Sequence, residues 1–206
     1  MTSAAPDAGR RLGVFGGAFD PPHVAHVALA QAALEQLQLD QLRIFPTGQA
    51  WHKPRAMSAP EHRLAMTRLA FGQLPRTVID ERELHRPGPT YTIDTLRELK
   101  AEYPAAQLFL VMGEDQAVSL TRWHEWEAIL DLAAICMAAR ASAQTSAGAA
   151  QPALPAQAQV RLLKLPNMPE SATEVRERAA AGTGIVLLVP APVASYIDQH
   201  RLYRST

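Results

Sequence analysis

A chain of 206 residues with one cysteine, Cys136, cannot carry an intrachain disulfide framework, which excludes the small scaffolds that depend on one. Cys136 lies in the apolar run from Ala133 to Ala139 and reads as an inert core residue. Net charge is also lacking: 20 lysines and arginines balance 20 aspartates and glutamates. Nothing therefore suggests a basic face for nucleic acid, and any phosphate binding must rest on local charge. No stretch approaches the roughly 18 apolar residues of a membrane-spanning helix. The segment from Met1 to Arg11 is small and polar with no apolar core, so it is expected to be a disordered tail rather than a leader. No membrane partner and a cytoplasmic address are the default expectations. Internal repeats and heptads are missing too. What remains is a length suited to one α/β domain, with a core large enough to need no metal or disulfide.

The chain is organised around Leu12 to Gln38. An apolar run with Leu12, Val14 and Phe15 meets Gly16-Gly17-Ala18-Phe19-Asp20-Pro21-Pro22-His23 and then a stretch with helical character to about Leu37. This is a strand, a turn and a helix start. Two glycines permit positive φ and let a ligand approach the main chain, while Asp20 is a candidate N-cap with proline in the first turn. Free amides and the dipole at that helix end suit an anion. His23 and His26 would share a face beside them, reading as phosphate donors. Zinc would need a third ligand, and the nearby acid, Asp20, is wanted as the cap.

Gly16 to His26 resembles the signature of the nucleotidyltransferase superfamily, Gly-x-Phe-Asp-Pro-x-His-x-Gly-His, and specifically its nicotinate-nucleotide adenylyltransferase branch. One position departs: Ala25 stands where the family commonly has glycine, and its methyl narrows the approach of phosphate to the backbone.

Further along, Leu42 to Pro46 reads as a second strand of a parallel βαβ unit. Gln49 to Met57, with Trp51, His52 and Lys53, reads as a loop over the strand ends, where ligands of open α/β sheets sit. The resemblance favours Lys53 as a phosphate ligand. Ser58 to Glu61 has capping-box spacing and opens a helix to about Leu74. Thr77 to Ile79 is a short strand, and Glu81 to Arg86, dense in charge, is expected to be an exposed segment or edge. Thr90-Tyr91-Thr92 begins a helix to about Tyr103. Thr90 or Thr92 can serve as its cap, while the resemblance implies that this run holds the pyridine ring and its carboxylate.

Gln107 to Met112 reads as a central buried strand ending at Gly113-Glu114-Asp115. There Asp115 can bind a ribose hydroxyl or hydrated magnesium, or cap a helix. Trp126 belongs to a core stripe with Ile129 and Leu130, and the resemblance assigns Trp123 to stacking on the pyridine. After a fifth strand at Ala133 to Ala139, residues 141–159 carry no charge and no periodicity, the composition of a flexible surface insertion. A strand at Val160 to Leu165 follows. Ser171 and Glu174 then form a capping box, while Thr173 and Arg176 can present donors for a second anion site. The resemblance matches Ser171 to Arg176 with the family's Ser-Ser-Thr-x-Ile-Arg element that holds ATP phosphates. Glu170 departs from the family's isoleucine, and a carboxylate beside a triphosphate is unfavourable unless it points away. A proline-started helix from about Val189 to Tyr203, including His200, reads as packing.

The resemblance implies a Rossmann-like single domain, a parallel sheet with helices on both faces and a helical C-terminal segment. It implies adenylyl transfer from ATP to nicotinate mononucleotide, giving nicotinate adenine dinucleotide and pyrophosphate in NAD biosynthesis, with Mg2+ held mainly by substrate phosphates and no dedicated protein metal site. His23, His26, Lys53 and Arg176 carry the catalytic assignment. Gly16, Gly17, Phe19, Gly113, Asp115, Ser171 and Thr173 join the histidines and Arg176 in ATP binding. Lys53, Thr90, Tyr91, Thr92 and Trp123 bind the mononucleotide. A homo-oligomer is compatible with this reading. Two alternatives stand beside it: a sister enzyme acting on a phosphomonoester such as phosphopantetheine, whose branch usually has threonine at the place of His23, and a nucleotide-binding regulatory module without turnover.

Overall fold

A computed structural model describes residues 9–49, 57–139 and 158–204. Six strands form one sheet: β1 (Arg11–Gly17), β2 (Gln41–Pro46), β3 (Thr77–Ile79), β4 (Gln107–Met112), β5 (Ala133–Ala139) and β6 (Val160–Lys164), in the order β3-β2-β1-β4-β5-β6. All five pairings are parallel; Leu12, for example, lies between Gln41 of β2 and Leu108 of β4. Parallel pairing demands crossovers, which are supplied by α1 (Val24–Gln36), α2 (Pro60–Phe71), α3 (Arg82–His85), α4 (Thr92–Glu102), α5 (Glu114–Val118) and α6 (Trp126–Leu132). After β6 the chain closes with α7 (Ala172–Ala180) and α8 (Ala191–Gln199).

Side-chain alternation along the strands sends residues to two separate cores. Phe109 and Val111 of β4 join Phe15, Ala134 and Cys136 under α1, α2, α7 and α8, through Leu34, Met66, Val175 and Val193. Leu108, Leu110 and Met112 join Leu12, Val14, Ile135 and Met137 under α4 and α6, through Leu96 and Ile129. Each large side chain so buried contributes about 1.5–3 kcal/mol relative to exposure. Cys136 is fully buried, and desolvation pushes its thiol up to about 12, so it packs as a small apolar group. The continuous apolar run of β4 thus serves both faces, as a central parallel strand requires.

Several local expectations change. The N-cap of α1 is His23, not Asp20; Asp20 sits before it, 2% exposed, across a cis peptide bond to Pro21. Its carboxylate accepts from the Ser58 amide at 3.2 Å and the Tyr203 hydroxyl at 2.7 Å, so it joins chain segments instead of ending a helix. Ala59 caps α2, because Ser58 is turned to Asp20. The charged stretch from Glu81 folds into α3 with Glu83 only 5% exposed: Arg82 and Asp80 neutralise one another at 2.9 Å, leaving Glu83 to turn inward. β1 begins at Arg11, inside the expected tail, because the Arg11 amide and the Arg10 carbonyl already hold Asp40 (2.7 Å) and Gln107 (2.8 Å). At the end of the expected insertion, the Gln159 carbonyl accepts from Ile135 at 2.8 Å. Residues 140–157, like Lys53 and its neighbours Trp51 and His52, lie outside the described residues.

Candidate active site

The connections of β1 and β4 diverge. From β1 the chain runs through α1 to β2, on one side, and from β4 through α5 and α6 to β5, on the other. Between two such strands the loops part at the carboxyl ends, leaving a crevice. A cavity of about 490 Å³ lies there, lined by Gly16 and Gly17 from β1, Gly113 and Asp115 after β4, the start of α1 and the start of α7.

The glycine turn works through space more than through unusual dihedrals. The positive φ belongs to Phe19 (45°), not to either glycine of the pair. A Cβ on Gly17 would meet the Phe19 ring at 2.9 Å, whereas one on Gly16 would meet nothing within 4 Å. Gly17 lets the ring fold back, and Gly16 leaves main chain open to the cavity. Phe19, 2% exposed, packs edge-on to Phe15, Phe71 and His26 at 5.3–5.6 Å between ring centroids.

His23 and His26 lie with ring centroids 3.7 Å apart, both on the cavity wall. The His23 amide donates to Nδ1 of His26 at 3.2 Å, which fixes the His26 tautomer with its proton on Nε2. His23 is 8% exposed and its own Nδ1 is buried without a partner. Desolvation lowers its pKa to about 4, so without ligand it is neutral at physiological pH and offers a single N–H. The main-chain amides here are less available than the sequence suggests. Val24 donates to the Leu188 carbonyl at 3.0 Å, and His26 and Val27 donate to the His23 carbonyl at 3.0 and 3.3 Å. The imidazoles thus join the remaining main-chain amides as donors at this turn.

Opposite stands the start of α7. Ser171 caps it, accepting from the Glu174 amide at 3.2 Å, while the Glu174 carboxylate pairs with Arg178 at 2.9 Å instead of completing the capping box. Arg176 lines the cavity and donates to the Asp20 carbonyl and to the Thr173 hydroxyl, each at 2.9 Å, which ties α7 to the glycine turn. Thr173 is exposed and lies off the cavity wall; its contact with Arg176 is its link to the site. Glu170 contributes to the cavity lining, and its Oε2 is buried with no hydrogen-bond partner.

Thr90, Tyr91, Thr92 and Trp123 also line the cavity. Tyr91 is the N-cap of α4, so neither threonine caps it, and Thr90 is 6% exposed with its hydroxyl unpartnered. Trp123 Nε1 reaches Ser119 Oγ at 3.4 Å, and its neighbour His124 lies 4.4 Å from the Tyr91 ring. Sequence reasoning passed over His124, Glu83 and Arg63. Glu83 lines the cavity, accepts from Thr95 at 2.7 Å, and has its pKa pushed up to about 7 by burial. A four-residue helix has too little periodicity to show which of its charges is inside. Arg63, 1% exposed, donates to the carbonyls of Ala18 (3.1 Å), Thr47 (2.6 Å) and Ser58 (3.1 Å), bracing the loops behind the site. Its signal was present: Arg63, Met66, Thr67 and Ala70 form one buried helical stripe.

Comparison with known proteins follows this geometry. The cytidylyltransferase-like family matches residues 14–178. A protein of Albidiferax ferrireducens described as a probable nicotinate-nucleotide adenylyltransferase is 53% identical over 196 residues, 95% of this chain and 99% of its own. One of the same description from Methylibium petroleiphilum is 40% identical, over 94% of this chain and 92% of its own. Among solved structures, Plasmodium falciparum nicotinic acid mononucleotide adenylyltransferase in complex with NaAD superposes with a TM-score of 0.75 at 17% identity, covering 94% of this chain and 97% of that one. That likeness is one of fold. Among the described residues no helix is long and apolar enough to cross a membrane, and no group of three or more histidine, cysteine or acidic side chains could hold a metal ion.

Proposed function

The chain belongs to the cytidylyltransferase-like family, among the nicotinate-nucleotide adenylyltransferases, and we propose that the cavity at the β1–β4 switch point is its active site. The enzyme transfers the adenylyl group of ATP to nicotinate mononucleotide, giving nicotinate adenine dinucleotide and pyrophosphate, in NAD biosynthesis. The observation that carries the site assignment is the meeting, in one cavity, of His23 and His26 at the start of α1 with Arg176 near the start of α7.

In this reading an oxygen of the mononucleotide phosphate attacks the α-phosphorus of ATP. The bond from that phosphorus to the bridging oxygen breaks, and pyrophosphate leaves with the electron pair. The attacking phosphate is largely dianionic near neutral pH, its second pKa being about 6, so no general base is needed. The residues' work is to align two polyanions and to stabilise charge on the departing group. His26 donates from Nε2, with Nδ1 held by the His23 amide. His23, neutral when empty, adds one N–H and gains basicity as the polyanion arrives. Arg176 adds a fixed charge, oriented by Asp20 and Thr173. Lys53 is assigned as a further phosphate ligand by the family resemblance of its segment.

A divalent ion would be held mainly by substrate phosphates, with Asp115 on the cavity wall as one protein oxygen donor. Mg2+ bound this way neutralises the triphosphate and the leaving pyrophosphate. We assign Gly16, Gly17, Gly113, Asp115 and Ser171 to the ATP side, and Thr90, Tyr91, Thr92 and Trp123 to the pyridine side. Because Glu83 titrates at about 7, part of it is uncharged at neutral pH, which lessens repulsion of a nicotinate carboxylate in the same cavity. Zero net charge supports an enzyme of small substrates rather than of nucleic acid, and a cytoplasmic address is part of the proposal.

The test is pyrophosphate release with ATP, magnesium and either nicotinate or nicotinamide mononucleotide. The expected kcat/KM is higher for nicotinate by about 10²-fold or more, since the two forms demand different partners of buried polar groups. Equal efficiency, or a preference for nicotinamide, would contradict the pyridine-side assignment.

A further inference from the structure

We propose that Arg63 is a positioning residue for the reaction: from behind the glycine turn its guanidinium orients the Ala18–Phe19 peptide, so that the Phe19 amide is presented to the nucleotide phosphates. The inference rests on the ATP-side assignment above. Arg63 lies in α2, is 1% exposed and stands outside the cavity wall. Its Nη1 donates to the carbonyls of Ala18 at 3.1 Å and Thr47 at 2.6 Å, its Nε to that of Ser58 at 3.1 Å, and its Nη2 to that of Gly48 at 3.4 Å. One planar group thus holds the glycine turn, the end of β2 and the start of α2.

A buried cation is costly, and an apolar side chain would fill the same place at less expense of desolvation. Burial lowers the Arg63 pKa, with Asp20 the first of the charges that oppose the shift, and a guanidinium keeps its proton in either case. What the guanidinium adds is orientation. The Ala18–Phe19 bond is trans, and a trans peptide sets its carbonyl and the following N–H in opposite directions. With the Ala18 carbonyl drawn to Arg63, the Phe19 N–H is aimed the other way. Ala18 and Phe19 both line the cavity while Arg63 does not, so the side opposite Arg63 is the cavity side. Among the described residues nothing accepts from the Phe19 amide, which leaves it free for a ligand. Phe19 also has φ 45°, a conformation a bulky residue adopts only when its surroundings impose it. The bond from Arg63 to Ala18, together with that from the Thr47 amide to the Gly17 carbonyl at 2.9 Å, supplies that hold.

The experiment has two arms. In the first, wild type, Arg63→Met and Arg63→Lys are compared in kcat, in KM for each substrate and in Kd for ATP by calorimetry, all referred to the folded fraction measured by circular dichroism. Arg63→Met is expected to raise the Kd for ATP about tenfold and to lower kcat/KM for ATP about 10²-fold, with KM for the mononucleotide unchanged. Arg63→Lys keeps the charge but cannot hold carbonyls of three segments with one ammonium, so it should share the defect. A purely structural role would lower the folded fraction and leave the Kd for ATP per folded molecule as it was, which overturns the proposal. Wild-type behaviour of Arg63→Lys overturns it as well, since charge alone would then suffice. The second arm uses the wild type only, so it holds even where a variant fails to fold: in 15N-labelled protein the Phe19 amide proton should move downfield on titration with magnesium and ATP, and a resonance that stays in place at saturating ATP overturns the proposal. Failure of the wild type to release pyrophosphate from ATP and nicotinate mononucleotide is a separate result and counts against the parent reading; the Phe19 resonance and the Kd for ATP still decide the role of Arg63.

Discussion

The Tyr203 hydroxyl donates to Asp20 Oδ1 at 2.7 Å, across 183 positions of sequence, closing the C-terminal segment onto the turn that carries His23 and His26. Asp20 is the junction: its other carboxylate oxygen takes the Ser58 amide, and its carbonyl takes Arg176. Tyr203→Phe removes one donor to a buried carboxylate and should cost about 1.5–3 kcal/mol. Urea unfolding measures this directly, and an unchanged midpoint would mean that the bond contributes nothing to the fold.

His23 gives a pH signature. Its folded pKa of about 4 lies below the usual 6.5, so the unfolded chain takes up the proton first as pH falls. Stability is therefore complete above about 6.5 and is lost as pH falls toward 4, by up to about 3 kcal/mol. His23→Gln should flatten that loss. Parallel stability curves for the two proteins over pH 4 to 7 would show that His23 is not buried neutral.

Glu83 acts in the opposite direction. With its pKa raised to about 7 by burial, the folded state holds a proton that the unfolded chain releases near 4.5. Its contribution is present below about 4.5 and is lost as pH rises through 7, again by about 3 kcal/mol. The variant Glu83→Gln keeps an acceptor for Thr95 without titrating, so its stability relative to wild type should climb between pH 5 and 8. A constant difference would place the carboxylate in water. The slopes of His23 and Glu83 oppose each other between about 4.5 and 6.5, so the wild-type curve alone conceals both.

What the sequence revealed and what it hid follow from the range of the interactions. The strands and the turn at Gly16 rest on local periodicity and on adjacent residues and were legible, and the family resemblance supplied the parallel sheet. Arg176 and Arg178 fall on different sides of α7 for a local reason too, since three and four residues return to one face and two do not. Asp20 was misassigned as a cap because its partners, Ser58 and Tyr203, are distant in sequence. Glu83 was hidden by neighbours whose charges satisfy one another. The availability of amides at the start of α1 was overestimated because Leu188, far along the chain, supplies an acceptor to Val24.

Arg176 and Arg178 also provide the most direct test of the central claim, that phosphate chemistry occurs where α7 faces the glycine turn. They share a helix, and their replacement by alanine carries the same intrinsic helix propensity change. Arg176 lines the cavity, while Arg178 is exposed and paired with Glu174. Steady-state pyrophosphate release by Arg176→Ala and Arg178→Ala, measured in parallel, should show kcat/KM for ATP falling about 10²-fold in the first and less than about twofold in the second. Equal losses, or a larger loss at Arg178, would contradict the account.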